Sequence, residues 1–155
     1  MARAYVGLGS NLGDREATLN HAIELLGECE GIELAAVSSF RDTDPVGYLD
    51  QPRFLNGAVA IETALAPAEL LATLLEVERG LGRTREGPRY GPRTVDLDLL
   101  LIDGVMIDEL GLTVPHPRLH EREFALAPLA ELDPELVVPG QGPVTQLLLR
   151  LESSP

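Results

Sequence analysis

Asp96 and Asp98 stand two residues apart in the run RYGPRTVDLDLLLIDG, residues 89–104, with arginines at 89 and 93 just ahead of them. If the run is a strand, its side chains alternate between faces, so both carboxylates point the same way with backbones roughly 6–7 Å apart. Two charges at that spacing repel by about 2.5 kcal/mol at an effective dielectric near 20. A cation removes that cost. Two hard oxygen ligands, with no Cys or His nearby at zinc spacing, favour Mg2+ completed by water and phosphate. Water on a solvated strand face would also screen the pair, so a D-x-D spacing alone is a weak signal. Its place after an arginine-rich segment strengthens it.

All twelve basic residues are arginine, in a chain whose net charge is −13. The absence of lysine excludes a Walker A phosphate loop, a Schiff-base lysine and a kinase-type phosphate-binding lysine. Arg83, Arg85, Arg89 and Arg93 fall within eleven residues whose one acid is Glu86, a local excess of three positive charges. Such a segment suits a solvated loop or a small polyanion. The guanidinium fork matches phosphate bidentately, which favours a nucleotide triphosphate. A long nucleic-acid backbone is a poor partner for so acidic a chain.

Three further stretches carry polar or aromatic groups that can face the same way. In FLNGAVAIET, residues 54–63, Leu55, Val59 and Ile61 alternate with Phe54 and Asn56. A ring beside a primary amide can stack on a flat heterocycle and read its edge, or it can pack under a loop while the amide bonds backbone. In TVPHPRLHEREFALAPLAEL, two prolines bracket His116, and Arg118 and Arg122 are four apart, on one face if helical. The plain reading of His116 there is a turn residue bonding a carbonyl. Phe124 is either core or a second aromatic opposite Phe54. His21 and His120 sit at ordinary helix positions and receive no role. GLGSNLG spaces its glycines as G-x-G-x-x-x-G, one longer than the dinucleotide fingerprint, with no doubly wound pattern after it; it reads as a glycine turn.

The elements that must position these residues follow from periodicity and caps. RAYVGLGS reads as a strand, and Asp14 caps a helix with Leu19, Ala22, Ile23 and Leu26 inward. GIELAAVSSFR is read as one second strand, followed by the Pro/Gly/Asp-rich loop DTDPVGYLDQP, too long for a tight hairpin. FLNGAVAIET is the third strand. Pro67 opens a second helix burying Leu70, Leu74, Val77 and Leu81. The strand RTVDLDLLLID follows the arginine segment, with Val95, Leu97, Leu99 and Leu101 facing the helices and Asp96 and Asp98 sharing the open face with Phe54 and Asn56. The order β-α-β-β-α-β predicts an α+β, ferredoxin-like antiparallel sheet with helices packed on one face. C-terminal helices are added: a short one from about Arg118, and a last one with Val144, Leu147, Leu148 and Leu151 inward.

Length and composition fit that plan. One domain, residues 1–155, is long enough for a real core, and 45% hydrophobic with 24% charged residues is a globular composition. The single Cys29 forbids an internal disulfide. MARAYVGLGS lacks a secretory apolar region, and no apolar run approaches the 18 or so residues of a membrane span. A cytoplasmic protein acting as a monomer, without nucleic-acid or membrane partners, is expected.

The pieces YVGLGSNLGD, SSFRDTDPVG, QPRFLNGAVAIET, ERGLGR, RYGPRTVDLDLLL and VPHPRLHEREFALAPLAEL together resemble, in order, the 6-hydroxymethyl-7,8-dihydropterin pyrophosphokinase family of folate biosynthesis. The resemblance covers roughly Tyr5 to Pro139, and the G-P-R-T-x-D-x-D and V-P-H-P-R-x-x-x-R-x-F runs are specific. The resemblance implies Mg-dependent transfer of the β,γ-pyrophosphate of ATP to the hydroxymethyl group of 6-hydroxymethyl-7,8-dihydropterin, giving its diphosphate and AMP. It implies two Mg2+ ions held by Asp96 and Asp98. It implies a pterin ring sandwiched by Phe54 and Phe124 and bonded at its edge by Asn56 with the backbone at Thr43, Asp44 and Val46. Arg83, Arg85, Arg93, His116 and Arg122 match triphosphate positions, with Arg83 and Arg93 assisting transfer. Glu78 and Asn11 match peripheral positions of the nucleotide and pterin sites. Loops at 12–14, 43–53 and 83–90 would close over the substrates and exclude water, a competing acceptor. Three departures stand out: Asp44 where proline is usual, Glu86 where some members are basic, and Tyr90 where some have tryptophan.

Three other classes predict different residues. A non-catalytic binding module has no need of Asp96 and Asp98 beside four arginines. An RNA-recognition module of the same topology needs aromatic middle strands and a basic surface, against 4% aromatics and a charge of −13 here. A different Mg-dependent nucleotidyl transferase would use the D-x-D pair but leave Phe54, Asn56 and Phe124 unexplained.

Overall fold

The computed structural model describes residues 1–11, 13–44, 53–81 and 95–152. The expectations for Val46, Arg83, Arg85 and Arg93, like those for Leu12, Arg89 and Tyr90, lie outside the described residues.

The chain opens with β1 (Ala2–Ser10) and α1 (Arg15–Glu28), whose N-cap Asp14 accepts the Ala17 N–H at 3.1 Å. The cap satisfies one of the orphan donors at a helix start. Next come β2 (Ile32–Val37), β3 (Arg41–Thr43) and β4 (Phe54–Thr63), which coincides with the FLNGAVAIET stretch. α2 (Pro67–Gly80) starts with Pro67 at its first turn, while Glu69 accepts the Ala66 N–H at 3.0 Å. β5 (Asp96–Ile102) is followed by a two-stranded hairpin of β6 (Ile107–Glu109) and β7 (Leu112–Val114). A 3₁₀ turn at Leu119–Glu121 leads into α3 (Glu123–Leu132), and a small ribbon of β8 (Val137–Val138) and β9 (Gly142–Pro143) precedes α4 (Val144–Glu152).

The main sheet is antiparallel in the order β2-β4-β1-β5, with β3 also paired to β4. Ala4, Val6 and Leu8 of β1, Val59 and Ile61 of β4, and Leu97 and Leu99 of β5 pack against Leu19, Ala22 and Leu26 of α1 and Leu70, Leu74 and Val77 of α2. Burying each of these leucines contributes about 1.5–3 kcal/mol.

The structure corrects four details. GIELAAVSSFR is two strands, not one, because Ser38 interrupts it. The Ser38 N–H donates to Ala58 O, and its hydroxyl accepts the Ala58 N–H, both at 2.9 Å. With Ser38 closing the ladder through its own side chain, the chain turns before β3 resumes pairing on the same edge of β4. Helices also cover both faces of the sheet: Tyr5, Ala58 and Ala60 pack on Leu126 and Leu129 of α3 and Leu147 of α4. Leu101 faces this second layer, not α1 and α2. A bulge does this: Val6 pairs Leu99 while Tyr5 pairs Leu101, so Leu100 is extra and the alternation slips by one. Finally, the short helix expected from Arg118 divides into the 3₁₀ turn and a longer α3, with Arg118 and Arg122 flanking the turn instead of sharing a helix face. Among the described residues, no helix is long and apolar enough to cross a membrane.

Candidate functional site

The second helical layer covers only part of its face of the sheet. The row Tyr5, Ala60 and Leu101 lies beneath it, whereas Gly7 pairs both Ala58 and Asp98, and Gly9 pairs both Asn56 and Asp96. Gly7, Gly9, Asn56, Asp96 and Asp98 of those last two rows form the floor of a cavity of about 500 Å³. Gly9 has no side chain where one would collide: a Cβ there would meet Asn56 Oδ1 at 2.7 Å. The central strand is thereby kept low between an amide on one neighbour and a carboxylate on the other. Strands sit about 4.8 Å apart, so the Asn56 and Asp96 backbones are roughly 10 Å apart across this floor.

The walls come from three elements. Phe54 and Asn56 enter from β4, Thr43 and then Asp44 from β3 and its exit, and Phe124 from the start of α3. The Asn56 side-chain amide, almost wholly buried, donates to the Thr43 hydroxyl, which fixes the amide's rotamer and leaves Oδ1 on the Gly9 side. Arg122 holds its guanidinium 5.6 Å from the centre of the Phe124 ring, a cation–π arrangement that orients both.

His116 completes the rim. Its N–H donates to Leu100 O at 2.7 Å, pinning the Pro-His-Pro turn to the bulge of β5. The Arg118 N–H donates to His116 Nδ1 at 3.1 Å, so the neutral ring carries its proton on Nε2 and presents a donor. Burial lowers the His116 pKa below its usual value, and the charges of Arg122 and Arg118 lower it further.

A second cavity of about 350 Å³ adjoins the first, walled by Leu71 and Leu75 of α2 and by Gly111, Leu112 and Thr113 of the β6–β7 hairpin. Glu78 lies on its wall, almost fully buried, with Oε2 accepting the Leu97 N–H at 2.7 Å. Asp96, Asp98 and His116 line both cavities. Two hard carboxylates facing one junction fit a small divalent cation that takes its other ligands from phosphate and water. No group of three or more His, Cys, Asp or Glu among the described residues forms an all-protein cage.

Of the residues singled out in the sequence, the structure therefore brings Thr43, Asp44, Phe54, Asn56, Asp96, Asp98, His116, Arg122 and Phe124 to the first cavity and Glu78 to the second. Asn11 is buried just after β1 and lines neither. Sequence reasoning noted Arg118 beside Arg122 in the run that holds His116 but gave it no role; Arg118 also lines the first cavity. Sequence reasoning missed the hairpin wall, whose signal was the Leu110–Gly111 turn with Gly111 at φ 82°.

The two adjoining cavities of this mixed α/β fold share two carboxylates and a histidine at their junction. The profile of the 7,8-dihydro-6-hydroxymethylpterin-pyrophosphokinase family, HPPK, matches residues 5–134, and the chain belongs to that family. It is 54% identical over 129 residues to the 2-amino-4-hydroxy-6-hydroxymethyldihydropteridine pyrophosphokinase of Bacillus subtilis, covering 83% of this chain and 77% of that one. The enzyme of the same name from Methylorubrum extorquens is 46% identical over 154 residues, covering 99% of this chain and 96% of that one. Among solved structures, the fold is similar to Plasmodium falciparum HPPK-DHPS, with a TM-score of 0.73 at 12% identity, over 96% of this chain and 45% of that one.

Proposed function

We propose that this chain transfers the β,γ-pyrophosphoryl group of ATP to the hydroxymethyl group of 6-hydroxymethyl-7,8-dihydropterin, releasing AMP, as a step of folate synthesis. The observation that carries the proposal is the sharing of Asp96, Asp98 and His116 between the two cavities. An acceptor in the first and a nucleotide in the second would place the reacting phosphorus beside those three residues.

In this reading Phe54 and Phe124 hold the pterin ring between them, and Asn56, fixed by Thr43, reads its edge together with the backbone of Asp44 and Val46. Asn11 supports that chamber from behind. Leu71 and Leu75 receive the purine, with Glu78 and the hairpin backbone around it. Asp96 and Asp98 hold Mg2+, two ions in all, which when bound supply charge neutralisation to the triphosphate. His116 donates from Nε2, and Arg122, Arg85, Arg83 and Arg93 surround the phosphates, Arg83 and Arg93 acting on the transferring group. The hydroxymethyl oxygen forms a bond to the β-phosphorus while the bond from that phosphorus to the oxygen bridging to the α-phosphate breaks. That oxygen leaves with AMP, and Asp96 is the proposed acceptor of the hydroxyl proton. Phosphoryl transfer depends on positioning and charge more than on covalent help, which suits a site without a nucleophile.

The same proposal covers the architecture around the site. With β3 set aside, the order β5-β1-β4-β2 is what a ferredoxin-like split β-α-β sheet requires, and this supports that topology. Residues 1–155 would act as one pyrophosphokinase domain, a cytoplasmic monomer needing only small-molecule substrates.

The test mixes the protein with Mg-ATP, with and without the pterin, and identifies the nucleotide product. Pterin-dependent AMP is expected. Pterin-dependent ADP, or release of pyrophosphate with the AMP moiety transferred to the acceptor, would overturn the reaction class. Tight pterin or ATP binding with no turnover would make the chain a binding module.

A further inference from the structure

Ser38, Ser39 and Phe40 follow one another between β2 and β3, yet each goes to a different place. Ser38 stitches to β4 through Ala58. Phe40 packs into the α1–α2 side, where Gly57 is bare because a Cβ would meet Phe40 Cδ1 at 2.8 Å. Ser39 turns outward to α3: its N–H donates to Glu131 Oε2 at 2.6 Å and its hydroxyl to Glu131 Oε1 at 2.5 Å. Arg41, the first residue of β3, adds a third donor, Nη2 to Oε1 at 3.3 Å.

Glu131 is thus one carboxylate joined to a strand segment by three hydrogen bonds, two of them from one residue. Glu131 and Phe124 are seven residues apart on α3, so they share a helix face two turns from each other, roughly 10.5 Å along the axis. On the strand side, Arg41 pairs with Asn56 and Thr43 pairs with Phe54. The clamp therefore ties the helix that carries one aromatic wall to the strand pair that carries the other wall and the amide.

We infer that Glu131 is a positioning residue that sets the distance between α3 and the β3–β4 pair, and so the width of the slot between Phe124 and Phe54. The inference rests on the reading of that slot as the pterin chamber. Glu131 does not line the cavity, so its effect must travel through α3. The carboxylate is suited to this task. The Ser39 hydroxyl, then the Ser39 N–H and Arg41, hold its pKa below the ordinary range, and the clamp stays charged through the neutral region.

The test compares the parent with Glu131→Gln and the milder Ser39→Ala, measuring steady-state kinetics, pterin binding by its own fluorescence, and unfolding temperature. Misplacing one wall of a stacked ring is expected to raise KM for the pterin and weaken its binding about tenfold, with kcat and KM for ATP within about twofold. The double variant is expected to be no worse than Glu131→Gln alone, because both substitutions open one clamp. Lowered unfolding temperature with unchanged pterin KM in both variants would make Glu131 a stability contact and overturn the inference. Equal loss for pterin and ATP would overturn it as well. A parent protein that binds no pterin would overturn the site reading itself, which the variants cannot do.

Discussion

Glu78 accepts the backbone N–H of Leu97, the residue between Asp96 and Asp98, at 2.7 Å. The helix thereby grips the strand at the residue between the two aspartates, whose own side chain faces the α1–α2 core. A carboxyl group on the buried stripe of α2, in line with Leu70, Leu74 and Val77, holds the two aspartates in register from behind.

Glu78→Ala should therefore act on stability and on the nucleotide together. Leaving the buried Leu97 N–H unpaired costs about 1–3 kcal/mol. Urea unfolding is expected to show that loss, and KM for ATP to rise. Glu78→Gln keeps an acceptor oxygen and should recover part of both. Unchanged unfolding in the alanine variant would refute the grip.

Gly9 offers a separate test of the chamber floor. The Cβ of Gly9→Ala would meet Asn56 Oδ1 at 2.7 Å, and the amide would have to leave its place beside Thr43. Loss of an edge-reading group in a buried site is worth roughly a factor of ten or more in affinity. Pterin binding should fall by that factor while binding of a non-hydrolysable ATP analogue holds. An equal fall for both would mean that the floor had collapsed as a whole.

Much of this arrangement was legible in the residues. The β4 boundaries, the Asp14 cap, the α2 stripe and the shared face of Phe54, Asn56, Asp96 and Asp98 all follow from period and capping chemistry. The bulge at Leu100 was not legible, because three leucines in succession read the same in either register. The break at Ser38 was missed because it depends on a side chain replacing a backbone carbonyl of its own strand as acceptor for the Ala58 N–H of β4, a pairing visible only in three dimensions. α3 was blurred by Pro128 and by apolar residues on all its sides. The meeting of two cavities at Asp96, Asp98 and His116 depends on the long-range bond from the His116 N–H to Leu100 O, which no local pattern encodes.

His116 gives a pH prediction. Its pKa is lowered in the fold from the ordinary 6.5, so the unfolded chain takes up a proton there before the folded one does. The stability it contributes is present above 6.5 and is lost as pH falls through the folded value. An NMR titration of the ring should place its midpoint below 6.5 in the free protein. A bound triphosphate should raise it, since the anion offsets Arg118 and Arg122. A midpoint at or above the ordinary value in the free protein would contradict the burial described for the ring.

Asp98→Asn and Asp96→Asn address the junction. Each removes one hard ligand from a pair that already needs phosphate and water to complete a cation's shell. Without nucleotide, both variants should remain folded, since neither side chain belongs to the apolar core. With Mg-nucleotide, the parent should gain unfolding temperature by binding linkage, about 2.7 kcal/mol at a hundredfold excess over Kd. The variants should lose most of that gain and require more Mg2+ for activity, the deficit being smaller at high metal concentration. A variant that keeps the full gain at low Mg2+ would show that its carboxylate does not hold the metal, and would shift the cation position away from β5.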